Sequence, residues 1–150
     1  PNTYDAICLA GGHGAMFDFT HNFELHNLIA SVYERGAIVA SVGHGYCGIL
    51  NVRLSDGSYL VNGKILTGPS WKEEKLALVS QKVPYNAEEL ARERGADYIR
   101  WKRPYRSSAA ATNGLVTGHN NSSSGNLVAS SVCEELDRLD SLKAKGSEPL

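Results

Sequence analysis

Glycine and histidine occur together twice in this chain, in Gly11-Gly12-His13-Gly14 and in Gly43-His44-Gly45. Each group follows a short apolar run, Tyr4-Asp5-Ala6-Ile7-Cys8-Leu9-Ala10 in the first case and Ala37-Ile38-Val39-Ala40-Ser41-Val42 in the second. Imidazole titrates near neutral pH, so a histidine on such a turn is suited to moving protons. Backbone N–H groups at the start of a following helix can hold an oxyanion. The second segment has the strand–sharp turn–helix form of a nucleophile elbow, where Ser or Cys projects from a strained turn. Its apex is Gly43, which has no side chain to act as a nucleophile. Glycines after strands also serve tight turns and close packing, and the pattern alone leaves both readings open.

Other chemistries are excluded more firmly. Gly11-Gly12-His13-Gly14 lacks the G-x-G-x-x-G spacing of a dinucleotide site, and no Gly-Lys-Ser/Thr follows as in a phosphate-binding loop. The five histidines show no metal-ligand spacing, and His21 and His26 fit one helical face poorly, which suggests surface roles. His13 with His44 remains a geometric possibility. The cysteines Cys8, Cys47 and Cys133 are odd in number and widely spaced, so neither a disulfide framework nor a zinc cluster is expected. All three are expected to be packing residues in a reducing compartment. With 15 Lys+Arg against 16 Asp+Glu in 150 residues, no basic surplus points to nucleic acid. No apolar run reaches the ~18–20 residues of a membrane helix, and no signal peptide is read at the start.

The elements that must position these residues follow from periodicity. Two short apolar strands flank a helix over 22–35, started by Asn22 and stopped by Gly36, and this strand–helix–strand unit implies a parallel sheet. Asn62-Gly63 between Tyr59-Leu60-Val61 and Lys64-Ile65-Leu66-Thr67 predicts a hairpin. Ser70 with Glu73 forms a capping-box pattern for a helix reaching about Gln81. Ala87 to Arg94 reads as a short helix ended by Gly95, and Asp97 to Trp101 and Leu115 to Thr117 read as strands. A last helix runs from about Ser123 to Leu139, and the stretch over 106–111 fits no element.

Tyr4-Asp5-Ala6 through Gly11-Gly12-His13-Gly14-Ala15-Met16-Phe17-Asp18 resembles the YDA…PGGHGAMWD segment of the ThiJ/PfpI superfamily, in its glyoxalase III, or heat-shock protein 31-like, branch. Ala40-Ser41-Val42-Gly43-His44-Gly45 is similar to the A-x-x-C-H-G elbow of that branch, with Gly43 standing where the family has cysteine. The stretches 54–61 and 64–68 resemble the hairpin that follows, and Gly114-Leu115-Val116-Thr117-Gly118-His119-Asn120 resembles its G-x-L-V-T-G-x-N strand.

The resemblance implies an α/β fold, a three-layer flavodoxin-like parallel sheet with helices on both faces. It further implies that residues 1–150 are the C-terminal portion of a single ThiJ/PfpI-like domain, with the N-terminal part of the fold missing and a polar tail over 140–150. By the same carry-over His44 and Glu74 are catalytic and Gly43 marks the elbow. Amides near Gly12 and His44 would be oxyanion donors, and His13 and Trp71 would line the pocket. The implied activity is that of a glutathione-independent glyoxalase or D-lactate dehydratase, a lyase or hydrolase-like protein acting on methylglyoxal and similar carbonyls. Without a thiol, a His44–Glu74 pair would work on a bound water or an enolisable carbonyl. The alternative is a non-catalytic binding or chaperone-like stress-response module. No cofactor or metal is expected. The implied setting is cytoplasmic, as a homodimer or other homo-oligomer, or with a partner chain supplying the missing strands.

Overall fold

The computed structural model describes residues 4–100, 107–119 and 122–146. Strand β1 (Ala6–Ala10) leads through helix α1 (Ala15–Asp18) and helix α2 (Phe23–Glu34) to strand β2 (Ile38–Val42). β1 and β2 pair in parallel, with Ala6 opposite Ile38 and Ala10 opposite Val42. The expected strand–helix–strand unit is therefore present. Asn22 starts α2 by accepting the Leu25 N–H at 2.9 Å, and Gly36 ends it with φ +82°.

Beyond β2 come a 3-10 turn (Gly43–Gly48), strand β3 (Ile65–Leu66), helices α3 (Trp71–Leu76) and α4 (Ala87–Glu93), and strand β4 (Asp97–Tyr98). Strands β5 (Ala109–Thr112) and β6 (Leu115–Gly118) and helix α5 (Ser122–Gly146) complete the described chain. The main sheet has the order β1-β2-β6-β5, while β3 and β4 form a separate parallel pair. Period-two alternation along β2 gives the sheet two covered faces. Val39 joins Ile29, Val32 and Leu115 on the α2 side, whereas Ile38 and Ala40 meet Val116 and Val128 on the α5 side. Three layers result. Among the described residues no helix is long and apolar enough to cross a membrane.

Several expectations are corrected. The sheet is mixed, because β5 runs antiparallel to β6. Their connection is Asn113-Gly114, with φ +45° and +76°, and two successive positive φ values make the two-residue hairpin turn whose twist matches the strands. The 106–111 stretch that fitted no element thus contributes β5, and the Asn-Gly hairpin lies at 113–114. At Asn62-Gly63 no hairpin forms. The residues before it fold back on Val52 to Leu54 instead, through Leu60 N–H to Val52 O at 3.0 Å and Leu54 N–H to Ser58 O at 2.9 Å. α3 stops at Leu76, well short of Gln81, as Leu78 turns to φ +58°. α5 continues to Gly146, past the expected end at Leu139, and Leu127 on it is exposed. Trp101 and Asn120 lie outside the described residues.

The cysteines divide differently from the expectation. Cys47 is buried, as read, but Cys8 and Cys133 are exposed. Burial pushes the Cys47 thiol up to about 12, against a lowering hydrogen bond with Tyr85. Only thiolate reacts, so Cys8 and Cys133 are expected to label with a disulfide reagent in the native protein, and Cys47 only after denaturation. Partial burial raises Cys8 as well. Mass spectrometry of partially labelled protein checks the order.

Candidate active site

The site is built where β1 and β2 end side by side. Gly11 N–H donates to Val42 O at 3.1 Å, so the two loops leave the sheet in contact. A Cβ on Gly11 would lie 1.8 Å from Gly45 N, and one on Gly45 would lie 2.0 Å from Leu9 O. Only glycine permits that approach. Gly43 supplies the sharp turn after β2 with φ +57°, a conformation that side chains other than those of glycine, Asn and Asp rarely adopt. Loop contact brings His13 beside His44, with ring centroids 4.2 Å apart.

The acid comes from α3. The Ser70–Glu73 capping box is formed, with the Ser70 N–H donating to Glu73 Oε2 at 2.8 Å, and it fixes the first turn of that helix. Glu74, one residue on, then points its carboxylate between the two imidazoles. Its Oε1 lies 2.9 Å from His44 Nε2 and its Oε2 lies 3.0 Å from His13 Nε2. The side chains of His44 and Glu74 are 2% and 7% exposed, while His13 is 46% exposed, so the cluster opens to solvent on the His13 side. Burial holds His44 below the usual imidazole range, outweighing the pull of Glu74. A carboxylate oxygen facing each Nε2 favours the imidazole tautomer that carries its hydrogen there. His44 Nδ1 is left with no hydrogen bond among the described residues.

The remaining expected residues fall around this cluster. Gly12 faces open space, and among the described residues its amide makes no hydrogen bond. Trp71 opens α3, its N–H donating to Glu88 Oε2 at 3.0 Å. With Met16, His44 and Glu74 it lines a cavity of only about 10 Å³, roughly the room of one water. Anything larger must approach over His13. Cys47, four residues after Gly43, is buried, and burial raises its pKa.

Two features of the site are not encoded by local sequence pattern. His13 was expected as a lining residue, yet it shares Glu74 directly. Glu73, read only as a cap, also faces His119, with Nε2 2.9 Å from Oε2, and both are buried. The adjacent acidic pair Glu73-Glu74 was the available signal, since neighbouring residues on a helix point about 100° apart and so reach different partners.

No family model matches the chain. A probable glutathione-independent glyoxalase, hsp3103, from Schizosaccharomyces pombe is 35% identical over 127 aligned positions, a match that covers 80% of this chain and 49% of that protein. The crystal structure of glyoxalase III from Candida albicans superposes with a TM-score of 0.81 at 26% identity, covering 90% of this chain and 58% of that one. The rapid encystment protein of Francisella tularensis gives a TM-score of 0.85 at 30% identity, covering 90% of this chain and 59% of that one. The chain has the fold of the ThiJ/PfpI superfamily. In sequence it is similar to proteins of the glyoxalase III branch. It spans about half the length of the curated relatives it matches.

Proposed function

We propose that this protein acts on small reactive carbonyls such as methylglyoxal, in the manner of a glutathione-independent glyoxalase, with Gly43 at the position of the elbow cysteine. The observation that carries the reading is the Glu74 carboxylate, 2.9 Å from His44 at the end of β2. Glu74 holds the Nε2 hydrogen, so His44 presents the Nδ1 lone pair as a base. Methylglyoxal adds water at its aldehyde carbon to give the hydrate. His44 takes the hydrogen from that carbon as a proton, the electron pair shifts to form an enediolate, and the Gly12 and His44 amides stabilise its oxygen. Return of the proton to the neighbouring carbon gives lactate. Overall one methylglyoxal and one water become one lactic acid, with no net oxidant.

The protein is expected to convert methylglyoxal to lactate, and His44→Ala to lower kcat by about 100-fold or more, the lower end of what a positioned base contributes. Chiral analysis of the lactate separates D from L product. Equal turnover by wild type and His44→Ala would remove His44 from the reaction.

A second reading, a non-catalytic module that holds unfolded proteins, is favoured by exposed apolar side chains. Phe23 is 73% exposed and Leu78 is 82% exposed. An inert wild type that suppresses aggregation of a denatured client would support this reading. Residues 1–150 as one portion of a ThiJ/PfpI-like domain, a homodimer and a cytoplasmic setting belong to the same proposal.

A further inference from the structure

The cluster at the ends of β1 and β2 has a property that proton transfer does not require. One ring nitrogen of His13, one of His44 and a Glu74 carboxylate oxygen all lie within 4.8 Å of one another. Two histidines and a glutamate with one position left open form a donor set for zinc. Zinc–nitrogen and zinc–oxygen distances of about 2.0–2.2 Å place tetrahedral ligand atoms about 3.3 Å apart. The two imidazole nitrogens stand 3.0 and 2.9 Å from Oε2 and Oε1 of the same carboxylate, so both rings already face the one acid that would share the ion. Gly43 at the apex carries no side chain to occupy the fourth position. The ligands also come from three separate elements, two strand-end loops and α3, which the sheet and the capping box hold in place.

We propose that His13, His44 and Glu74 form a binding site for a zinc-class divalent cation. A metal takes the Nε2 lone pairs, so each imidazole moves its hydrogen to Nδ1. His44 then has no basic nitrogen left, and the metal-loaded and acid–base forms exclude one another. That exclusion rests on the proposed function; metal binding itself does not.

The test is titration of the chelator-treated full chain with Zn²⁺ by calorimetry and with Co²⁺ by visible absorption. One equivalent is expected to bind, and Co²⁺ is expected to give the intense visible bands of a low-coordinate site. His13→Ala, on the exposed side of the cluster, is expected to weaken binding by about 100-fold or more, because losing a ligand costs at least as much as losing a residue that orients one. Glu74→Gln, which keeps the side-chain volume, is expected to do the same. His21→Ala, on an exposed residue outside the cluster, is expected to change nothing. Absent binding by wild type overturns the proposal, as does unaltered affinity in both cluster variants, or an equal loss in His21→Ala. Because binding is read without turnover, a chain that binds zinc but leaves methylglyoxal untouched rejects only the carbonyl reading.

Discussion

Gly45→Ala is expected to abolish the native fold or to lower its melting temperature by about 10 °C or more. The added Cβ would lie 2.0 Å from Leu9 O and 2.8 Å from Leu9 C, both backbone atoms of β1. A flexible side chain could swing away, but a strand paired along its length with β2 cannot. Relief requires prying the 3-10 turn from the sheet, which also breaks the seat of His44. Overpacking of this kind against backbone belongs to the rare class above about 4 kcal/mol, a large part of the 5–15 kcal/mol that holds a domain together. For a chain of this size each kcal/mol moves the transition by roughly 2–4 °C. Gly12→Ala is the contrast, since its Cβ would meet nothing within 4 Å, and its effect is expected within about 0.5 kcal/mol. Thermal unfolding followed by circular dichroism checks both. A Gly45→Ala transition level with that of Gly12→Ala would mean that the two loops do not meet as described.

Gly43→Cys is expected to raise methylglyoxal turnover by about 100-fold or more over the parent chain. The thiol would enter beside His44, and a base that takes its proton leaves a thiolate to attack the aldehyde carbon directly. Proton transfer by a positioned histidine contributes about 10²–10⁴-fold, which sets the lower bound. The substitution also has a cost. Gly43 sits at φ +57°, and holding a side chain there takes about 1–3 kcal/mol, so a lower melting temperature accompanies the gain. The new thiol is expected to label faster than Cys8 and Cys133. An inert parent rescued by Gly43→Cys would reject cysteine-free catalysis while keeping the elbow. Unchanged turnover in a folded variant with a fast-labelling thiol would reject the elbow position itself.

What could be read from residues alone was decided by local physics. β1, α2 and β2 were legible because apolar runs, an Asn cap and a stopping glycine act within a few residues of themselves. The Ser70–Glu73 box was legible for the same reason. The Asn-Gly pairs were not separable. Both offer a turn, and the choice between 62–63 and 113–114 depends on which flanking segment finds a strand to pair with: Leu115 to Gly118 lies against β2, whereas Tyr59 to Val61 folds back on the preceding loop. Exposure of Cys8 depends on tertiary placement as well, since β1 lies at the edge of the sheet among the described residues. At the site, the positions of His44 and Glu74 came from a family likeness and not from spacing, which cannot link residues 30 apart in the chain. The share of Glu74 taken by His13 depends on two loops meeting through glycines, a long-range contact that no local pattern encodes.

The adjacency of Glu73 and Glu74 makes the order of the site all or none. One helical turn holds the carboxylates facing His119 on one side and His13 and His44 on the other. When that turn opens, three imidazoles lose their partner in a single event, and none can be released separately by a motion of α3. Opening of this six-residue helix is therefore expected to undo the cluster even where the sheet beneath it stays intact. Amide hydrogen exchange in α3 then reports how often the site exists at all.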